Sequence, residues 1–179
     1  EQSDGICVAV TAPADTTPEL VTAAQEGAVA LADALDYVGV LAVEYFVVGG
    51  TLLLNELAPR PHNSGHYTID ACVTSQFENH LRAVLDWPLG DPSLITAAAV
   101  MANLIASSSD RLALGDVVPP SGARVHLYGK DPLPGRKVGH VTVCDRDQVA
   151  LRRTALQVAR QLTGPALEPV RQAVPVVTP

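Results

Sequence analysis

The sequence is poor in aromatic residues and lacks any apolar run long enough to cross a bilayer. Phenylalanine, tryptophan and tyrosine make up only 4% of its 179 residues, although 47% of the residues are hydrophobic. A core must therefore be built from alanine, valine and leucine. The longest strongly apolar stretch, residues 94–106, is too short and too interrupted to span a membrane. These absences predict a globular protein without a membrane partner.

Cysteine is also scarce, and positive charge is in the minority. The three cysteines, Cys7, Cys72 and Cys144, are widely spaced and form no CxxC pair. This pattern argues against a disulfide framework or a zinc site and favours a reducing, cytoplasmic location. The formal net charge is −7, and no basic run interrupts the acidic balance. We therefore expect no nucleic-acid partner.

The opening residues indicate that the chain is a fragment or a cleaved product. The sequence starts with Glu1 rather than methionine and runs directly into residues 6–12, which read as a buried strand ended by Pro13. Such a strand needs partners. A helix should start at the capping box from Thr16 to Glu19 and continue to about Leu35.

The rest of the chain predicts an α+β fold divided near a proline-rich break. Residues 87–92, Trp-Pro-Leu-Gly-Asp-Pro, separate a predicted domain of residues 1–90 from a small β-rich domain of residues 91–179. The further predicted elements are a hairpin of residues 40–48 and 51–56 around Gly49-Gly50, a loop from 55 to 65, a helix from Ser75 to about Leu85, strands near 97–105, 123–129 and 137–144, a helix from about 147 to 162, and a proline-rich tail.

Two acids in the predicted hairpin point to a metal site. Glu44 is the only charge in the first strand, and Glu56 ends the second. A buried carboxylate needs compensation because an isolated charge is costly to desolvate. A two-residue turn would pair Glu44 with Asn55, whereas one extra residue in the loop would place Glu44 opposite Glu56. Facing carboxylates with an amide oxygen suit Mg²⁺. The alternative is a structural salt bridge from Glu44 to Arg60 or to another cation.

A dense polar run follows the hairpin and predicts an anion site. Arg60 offers a planar fork that matches a carboxylate, bicarbonate or phosphate. His62 and His66 have the i, i+4 spacing of a zinc pair on a helix, but Pro59 and Pro61 oppose a helix there. A purely structural loop is the third possibility. We favour an anion site beside a magnesium site, because it explains the mixture of charges.

These residues resemble the ATP-grasp family, and within it the 5-(carboxyamino)imidazole ribonucleotide synthases of purine biosynthesis. The resemblance is carried by Tyr37-Val-Gly-Val-Leu-Ala-Val-Glu-Tyr-Phe and by Leu53-Leu-Asn-Glu-Leu-Ala-Pro-Arg-Pro-His-Asn-Ser-Gly-His. Shorter agreements occur at residues 75–78, 80–83, 103–105 and 134–140. It runs from residue 4 or 5 to the last helix. The expected fold is the carboxy-terminal half of an ATP-grasp domain, with an antiparallel sheet and helices, plus a small β-rich lobe.

The resemblance implies a reaction and a role for each site residue. ATP would phosphorylate bicarbonate to carboxyphosphate, and the carboxyl unit would pass to the amine of aminoimidazole ribonucleotide. Glu44 and Glu56 would hold Mg²⁺, with Asn55 and Glu56 beside the ATP phosphates. The implied bicarbonate residues are Arg60, His62 and Asn63, and the implied ligands of the nucleotide 5′-phosphate are Lys130 and Arg136. A homodimer is also implied. His66, His126 and His140 receive no role.

The resemblance also predicts what the chain lacks. The family's amino-terminal domain and most of its ATP-clasping lobe would precede Glu1, so we expect the chain alone to be inactive. Without the resemblance, residues 129–137 read as a solvated basic turn. The alternatives are another ATP-grasp carboxylase or ligase, biotin carboxylase-like or formate-using, and a non-catalytic piece of the fold. The turn at Pro134-Gly135-Arg136-Lys137 favours the first assignment, and the intact acids speak against a non-catalytic piece.

Overall fold

The computed structural model describes residues 1–3, 5–110, 112–113 and 116–164, and the chain divides into two compact units. Unit 1 comprises residues 1–12 and the residues from 96 onward, and unit 2 comprises residues 13–95. The first twelve residues thus group with the second half of the chain. The division into domains of residues 1–90 and 91–179, made from the sequence, stays a prediction. The proline-rich tail lies outside the described residues.

The structure combines helices with antiparallel strands, as the sequence predicts. The single strand predicted for residues 6–12 is wrong, because Ile6–Cys7 and Ala9–Ala12 are two strands in different sheets. The strands are β1 (Gln2–Ser3), β2 (Ile6–Cys7), β3 (Ala9–Ala12), β4 (Ala42–Val48), β5 (Thr51–Ala58), β6 (Ala98–Ile105), β7 (Arg124–Leu127) and β8 (Lys137–Asp145). The helices are α1 (Pro18–Ala34), α2 (Thr68–Ala71), α3 (Gln76–Val84) and α4 (Gln148–Thr163), with a 3₁₀ turn at Asn63–Gly65. None of the described helices combines the length and apolar character needed to span a membrane.

Unit 1 is built on a four-stranded antiparallel sheet in the order β3-β6-β8-β7. Every residue of the central strand β6 is buried, which explains its nearly continuous apolar sequence. Helix α4 packs on this sheet, and the side chain of Asp147 caps the helix by accepting from the backbone N–H groups of Val149 and Ala150. The core is made of alanine, valine and leucine, with Leu104, Val141 and Leu162 among its buried members. The composition therefore predicts this core correctly.

Unit 2 contains α1, the β4–β5 hairpin, α2 and α3. Thr17 caps α1 by accepting from the N–H of Leu20, one residue later than the capping box starting at Thr16 predicts. The hydroxyl of Tyr45 donates to the carbonyl of Ala24 on α1 at 3.4 Å. A Cβ at Gly27 would lie 2.8 Å from that hydroxyl, so a larger residue there would require the Tyr45 hydroxyl to shift. This contact ties the hairpin to the helix.

The second predicted helix is also confirmed. The hydroxyl of Ser75 accepts from the N–H of Glu78, and α3 then runs from Gln76 to Val84. The predicted loop of residues 55–65 is wrong in its first part, because β5 continues to Ala58. The pairing of Ala42 with Ala58 lengthens the hairpin beyond the predicted end at Glu56. The loop proper is therefore shorter than the sequence suggests.

Candidate functional site

The register of the hairpin places the two acids opposite each other. Gly49 and Gly50 both have positive φ, 56° and 79°, and form a two-residue turn that pairs Val48 with Thr51. The pairing then shifts between Glu44 and Tyr45, so that Glu44 faces Glu56. The predicted facing of the acids is confirmed. The predicted position of the extra residue is wrong, because it lies within the strands and not in the loop.

The extra residue is Asn55, and its side chain acts on Glu44. Tyr45 pairs with Leu54 and Glu44 with Glu56, which leaves Asn55 unpaired on the bulged strand. Its amide nitrogen donates to Oε2 of Glu44 at 3.2 Å. The bulge therefore brings a carboxylate, a second carboxylate and an amide to one end of the hairpin. Directly opposite side chains project from the same face of a hairpin.

The other carboxylate oxygen of Glu44 meets the polar loop. Nε2 of His62 lies 3.7 Å from Oε1 of Glu44, and the two side chains are 14% and 32% exposed. Among the described contacts, the carboxylate of Glu44 thus meets His62 and not Arg60. The guanidinium of Arg60 is exposed and donates to the carbonyl of Pro61 at 3.2 Å. The acid pair and the predicted anion loop thus meet through His62.

His62 and His66 flank a short turn instead of sharing a helix. His62 precedes the 3₁₀ turn of Asn63–Gly65 in an extended conformation, and His66 ends it. The Nδ1 of His66 lies 2.9 Å from the side-chain amide of Gln76, and its ring packs on that of Phe77 at 5.3 Å between centroids. The helical zinc pair considered from the spacing is therefore not formed.

Gln76, which the sequence did not single out, organises this loop. Its Oε1 accepts from the backbone N–H of His62 at 2.9 Å, and its Nε2 donates to the carbonyl of His62 at 2.8 Å. Its own backbone N–H donates to the hydroxyl of Thr68, which in turn donates to the carbonyl of Gly65. The only sequence signal was its place directly after the Ser75 cap, where a side chain can reach the preceding loop.

Burial raises the pKa values of two residues just beyond the loop, Tyr67 and Cys72. Burial raises the pKa of the Cys72 thiol, and the charge of Asp91 raises it further. Burial also raises the pKa of Tyr67, with a smaller contribution from Cys72. The backbone N–H and side chain of Ser93 lower the pKa of Asp91. At neutral pH the thiol and the phenol therefore add no charge beside the polar loop.

The predicted phosphate-binding cations lie in unit 1, on the loop between β7 and β8. Lys130 is exposed with its Nζ 5.6 Å from the centroid of the Tyr128 ring. Arg136 is exposed and donates from Nη1 to the carbonyl of Asp131 at 3.3 Å. The loop is fixed by its backbone, because Gly135 donates to the carbonyl of Ala106 at 2.9 Å and Ala106 donates to that of Arg136 at 3.0 Å.

Comparisons with known proteins agree with this architecture. Residues 1–77 match the family described as ATP-grasp domain, and residues 99–154 match the phosphoribosylaminoimidazole carboxylase C-terminal domain. The chain is 52% identical over 170 residues to the N5-carboxyaminoimidazole ribonucleotide synthase of Mycobacterium tuberculosis H37Rv. That match covers 90% of this chain and 40% of the relative. The chain thus spans about 40% of that relative's length.

Solved structures give the same result. The N5-carboxyaminoimidazole ribonucleotide synthetase of Thermus thermophilus superposes with a TM-score of 0.81 and 44% identity, covering 93% of this chain and 45% of that one. The Aspergillus clavatus N5-carboxyaminoimidazole synthase, in complex with ADP and 5-aminoimidazole ribonucleotide, gives a TM-score of 0.76 and 37% identity over 88% of this chain and 44% of that one. The chain therefore belongs to the N5-carboxyaminoimidazole ribonucleotide synthase family of ATP-grasp ligases.

Proposed function

We propose that this chain carries the metal, bicarbonate and nucleotide-phosphate residues of an ATP-dependent ligase of purine biosynthesis. The ligase carboxylates 5-aminoimidazole ribonucleotide with bicarbonate through carboxyphosphate, and it yields N5-carboxyaminoimidazole ribonucleotide, ADP and phosphate. The observation that carries the proposal is the contact of the facing acids with the polar loop. Glu44 lies opposite Glu56 and 3.7 Å from Nε2 of His62.

The acid pair fits a magnesium ion. Glu44 and Glu56 supply carboxylate oxygens from paired positions of the hairpin, and Asn55 supplies an amide on the bulge between them. Mg²⁺ takes one or two protein carboxylates and completes its shell with waters and substrate phosphates. Both acids are at least partly exposed, which leaves room for those ligands. The ion, when bound, would neutralise charge on the transferring γ-phosphoryl group.

The polar loop fits bicarbonate and the carboxyphosphate that would form from it. Arg60 presents an exposed guanidinium, and His62 presents Nε2 at the edge of the acid pair. Asn63 begins the 3₁₀ turn directly after His62. In this proposal these three side chains bind and orient the anion and stabilise its negative charge by hydrogen bonds. Neighbouring metal and anion sites would bring bicarbonate to the γ-phosphate.

The basic loop of unit 1 is proposed to bind the 5′-phosphate of the nucleotide. Lys130 and Arg136 both extend exposed cations from a loop that backbone hydrogen bonds hold in shape. Arginine offers a planar fork that matches phosphate, whereas lysine acts as a point charge. A homodimer, expected from the family resemblance, stays a prediction that light scattering on the purified protein can check. The expected cytoplasmic location likewise stays a prediction.

The test uses an enzyme of full family length that carries this chain. We expect it to consume ATP only when bicarbonate and 5-aminoimidazole ribonucleotide are both present, with one N5-carboxyaminoimidazole ribonucleotide formed per ATP. Turnover with formate or with biotin in place of these substrates would instead favour another ATP-grasp ligase. ATP consumption is measured as ADP release. Formation of the carboxylated product is measured as incorporation of labelled bicarbonate.

The 179-residue chain alone serves as the second arm of the same test. Because it spans about 40% of the length of its relative, we expect it to show no ATP-dependent carboxylation. Measurable turnover by the chain alone would overturn the expectation that the rest of the ATP-clasping lobe is needed for activity. An inactive full-length enzyme would overturn the proposed function itself.

A further inference from the structure

The orientation of the Gln76 amide is fixed by backbone groups that can play only one role. The backbone N–H of His62 can only donate, so the atom that it meets at 2.9 Å must be the Gln76 oxygen. The carbonyl of His62 can only accept, so the atom at 2.8 Å must be the Gln76 nitrogen. Amide orientation is otherwise an inference from the network, and here the backbone leaves one solution.

This orientation also determines the tautomer of His66. The Gln76 nitrogen has two hydrogens, and one of them goes to the carbonyl of His62. The other points to Nδ1 of His66, which lies 2.9 Å away and must therefore accept. Neutral His66 then carries its proton on Nε2. The sequence alone gives His66 no role, and in the structure its Nδ1 accepts the second hydrogen of the Gln76 amide nitrogen.

His62 is held in the same tautomer by the turn that follows it. The backbone N–H of Ser64 donates to Nδ1 of His62 at 3.3 Å, and the Ser64 hydroxyl lies 2.8 Å from the same nitrogen. A nitrogen that receives a backbone N–H presents a lone pair, so the neutral ring carries its proton on Nε2. That nitrogen is the one that lies 3.7 Å from Oε1 of Glu44.

We propose that Gln76 and Ser64 are positioning residues that hold His62 as an Nε2–H donor at the bicarbonate site. Gln76 fixes the backbone of His62 on both sides, and Ser64 fixes the ring. His62 then donates a hydrogen bond to the bound anion and does not remove a proton from it. This inference rests on the proposed function for the identity of the anion, whereas the tautomer of His62 follows from the hydrogen bonds alone.

The chain contains a matched control for Gln76 on the same helix. Asn79, also on α3, clamps the backbone of Gly90 in the same way: its Nδ2 donates to the Gly90 carbonyl at 3.2 Å and its Oδ1 accepts from the Gly90 N–H at 2.8 Å. Each amide thus makes two hydrogen bonds to one residue of a loop. Gln76 holds a proposed site residue, and Asn79 holds a residue outside the site.

The kinetic experiment compares these two substitutions in the full-length enzyme. Gln76→Ala should lower kcat about 100-fold at saturating ATP and nucleotide, because misplacement of a binding group by about 1 Å has this effect. Its KM for ATP should stay unchanged, and Asn79→Ala should keep the kcat of the unaltered enzyme. Gln76→Glu keeps the acceptor for the His62 N–H but loses the donor to the His62 carbonyl. Its kcat should lie between the values for Gln76→Ala and Asn79→Ala. Equal kcat for Gln76→Ala and Asn79→Ala would overturn the positioning role.

A spectroscopic measurement tests the tautomer without any activity. Nitrogen-15 NMR of the unaltered 179-residue chain should show both His62 and His66 as Nε2–H tautomers at neutral to basic pH. An Nδ1–H tautomer at His62 would overturn the inference even if the enzyme is active. If the full-length enzyme lacks bicarbonate-dependent turnover, the proposed function is wrong. The NMR measurement still shows whether His62 is held as the Nε2–H tautomer. Failure of one proposal is therefore distinguishable from failure of the other.

Discussion

The two units of the chain are stabilised in different ways, and the difference bears on where the candidate sites lie. Unit 1 has an apolar core in which the whole of β6 is buried between neighbouring strands and α4. In residues 13–95, all of which the structure describes, only Ala58, Ala71 and Cys72 are buried apolar side chains. Unit 2 relies instead on side chains such as Gln76 and Asn79 that bind loop backbone.

The proposed binding residues follow the same contrast. In unit 2, His62 is oriented by the side chains of Gln76 and Ser64. In unit 1, Arg136 lies on a loop fixed by backbone hydrogen bonds to Ala106 at the end of a buried strand. Single substitutions should therefore disturb the geometry of the site in unit 2, whereas in unit 1 they should remove one ligand and leave the loop in place.

The largest expected effect is the loss of the acid pair. Glu56→Ala in the full-length enzyme should lower kcat by about 1,000-fold or more. Without this ligand the metal ion would no longer be held where it neutralises the charge of the transferring phosphoryl group. The control is Glu26→Ala, which removes an exposed acid from α1 of the same unit. Steady-state ADP release measures both. Normal turnover by Glu56→Ala would contradict the metal assignment and with it the distinct role given to unit 2.

The contrast in packing predicts a second, smaller effect on stability. Leu104 is fully buried in unit 1, whereas Leu54 on the hairpin of unit 2 is 51% exposed. Leu104→Ala should lower the free energy of unfolding by about 2–5 kcal/mol through lost burial and a cavity. Leu54→Ala should cost less than about 0.5 kcal/mol, as for surface sites. Urea unfolding of the 179-residue chain measures both, and similar losses would refute the contrast between the units.

Much of the fold was predictable because local patterns and burial agree. The Ser75-Gln-Phe-Glu box, the Gly49-Gly50 turn and the apolar stretch of β6 each match an element in the structure. The position of the bulge was not predictable, since either a longer turn or an extra strand residue places Glu44 opposite Glu56. In the structure the extra residue is Asn55 within the strand, and in this position its side-chain amide donates a hydrogen bond to Glu44.

The candidate site was only partly predictable for a related reason. Glu44, Glu56 and the polar loop are visible because charges are rare in an apolar sequence. Gln76 lies 14 residues beyond His62, and its role depends on how α3 folds back toward the loop. A glutamine after a helix cap is ordinary in sequence, so only tertiary contacts reveal it. The grouping of the first twelve residues with unit 1 is likewise a long-range property.

The smallest expected effect concerns the basic loop of unit 1. Arg136→Ala should raise the KM for 5-aminoimidazole ribonucleotide about tenfold, the size of one lost hydrogen bond to a charged group. The KM for ATP should stay the same, because the backbone hydrogen bonds of Gly135 and Arg136 to Ala106 are kept when this side chain is removed. Arg153→Ala, which removes an exposed cation from α4 of the same unit, is the matched control. Initial rates at varied nucleotide and varied ATP separate the two constants.

Two further results would decide whether Arg136 acts as a ligand or as a brace. Its Nη1 also donates to the carbonyl of Asp131, so a structural role would predict that Arg136→Ala alters the loop. Arg136→Lys keeps the charge but loses the planar fork, and it should recover only part of the affinity for the nucleotide. Equal increases in the KM for nucleotide and for ATP would contradict the phosphate role. They would also show that this loop, like the one in unit 2, depends on a side chain for its geometry.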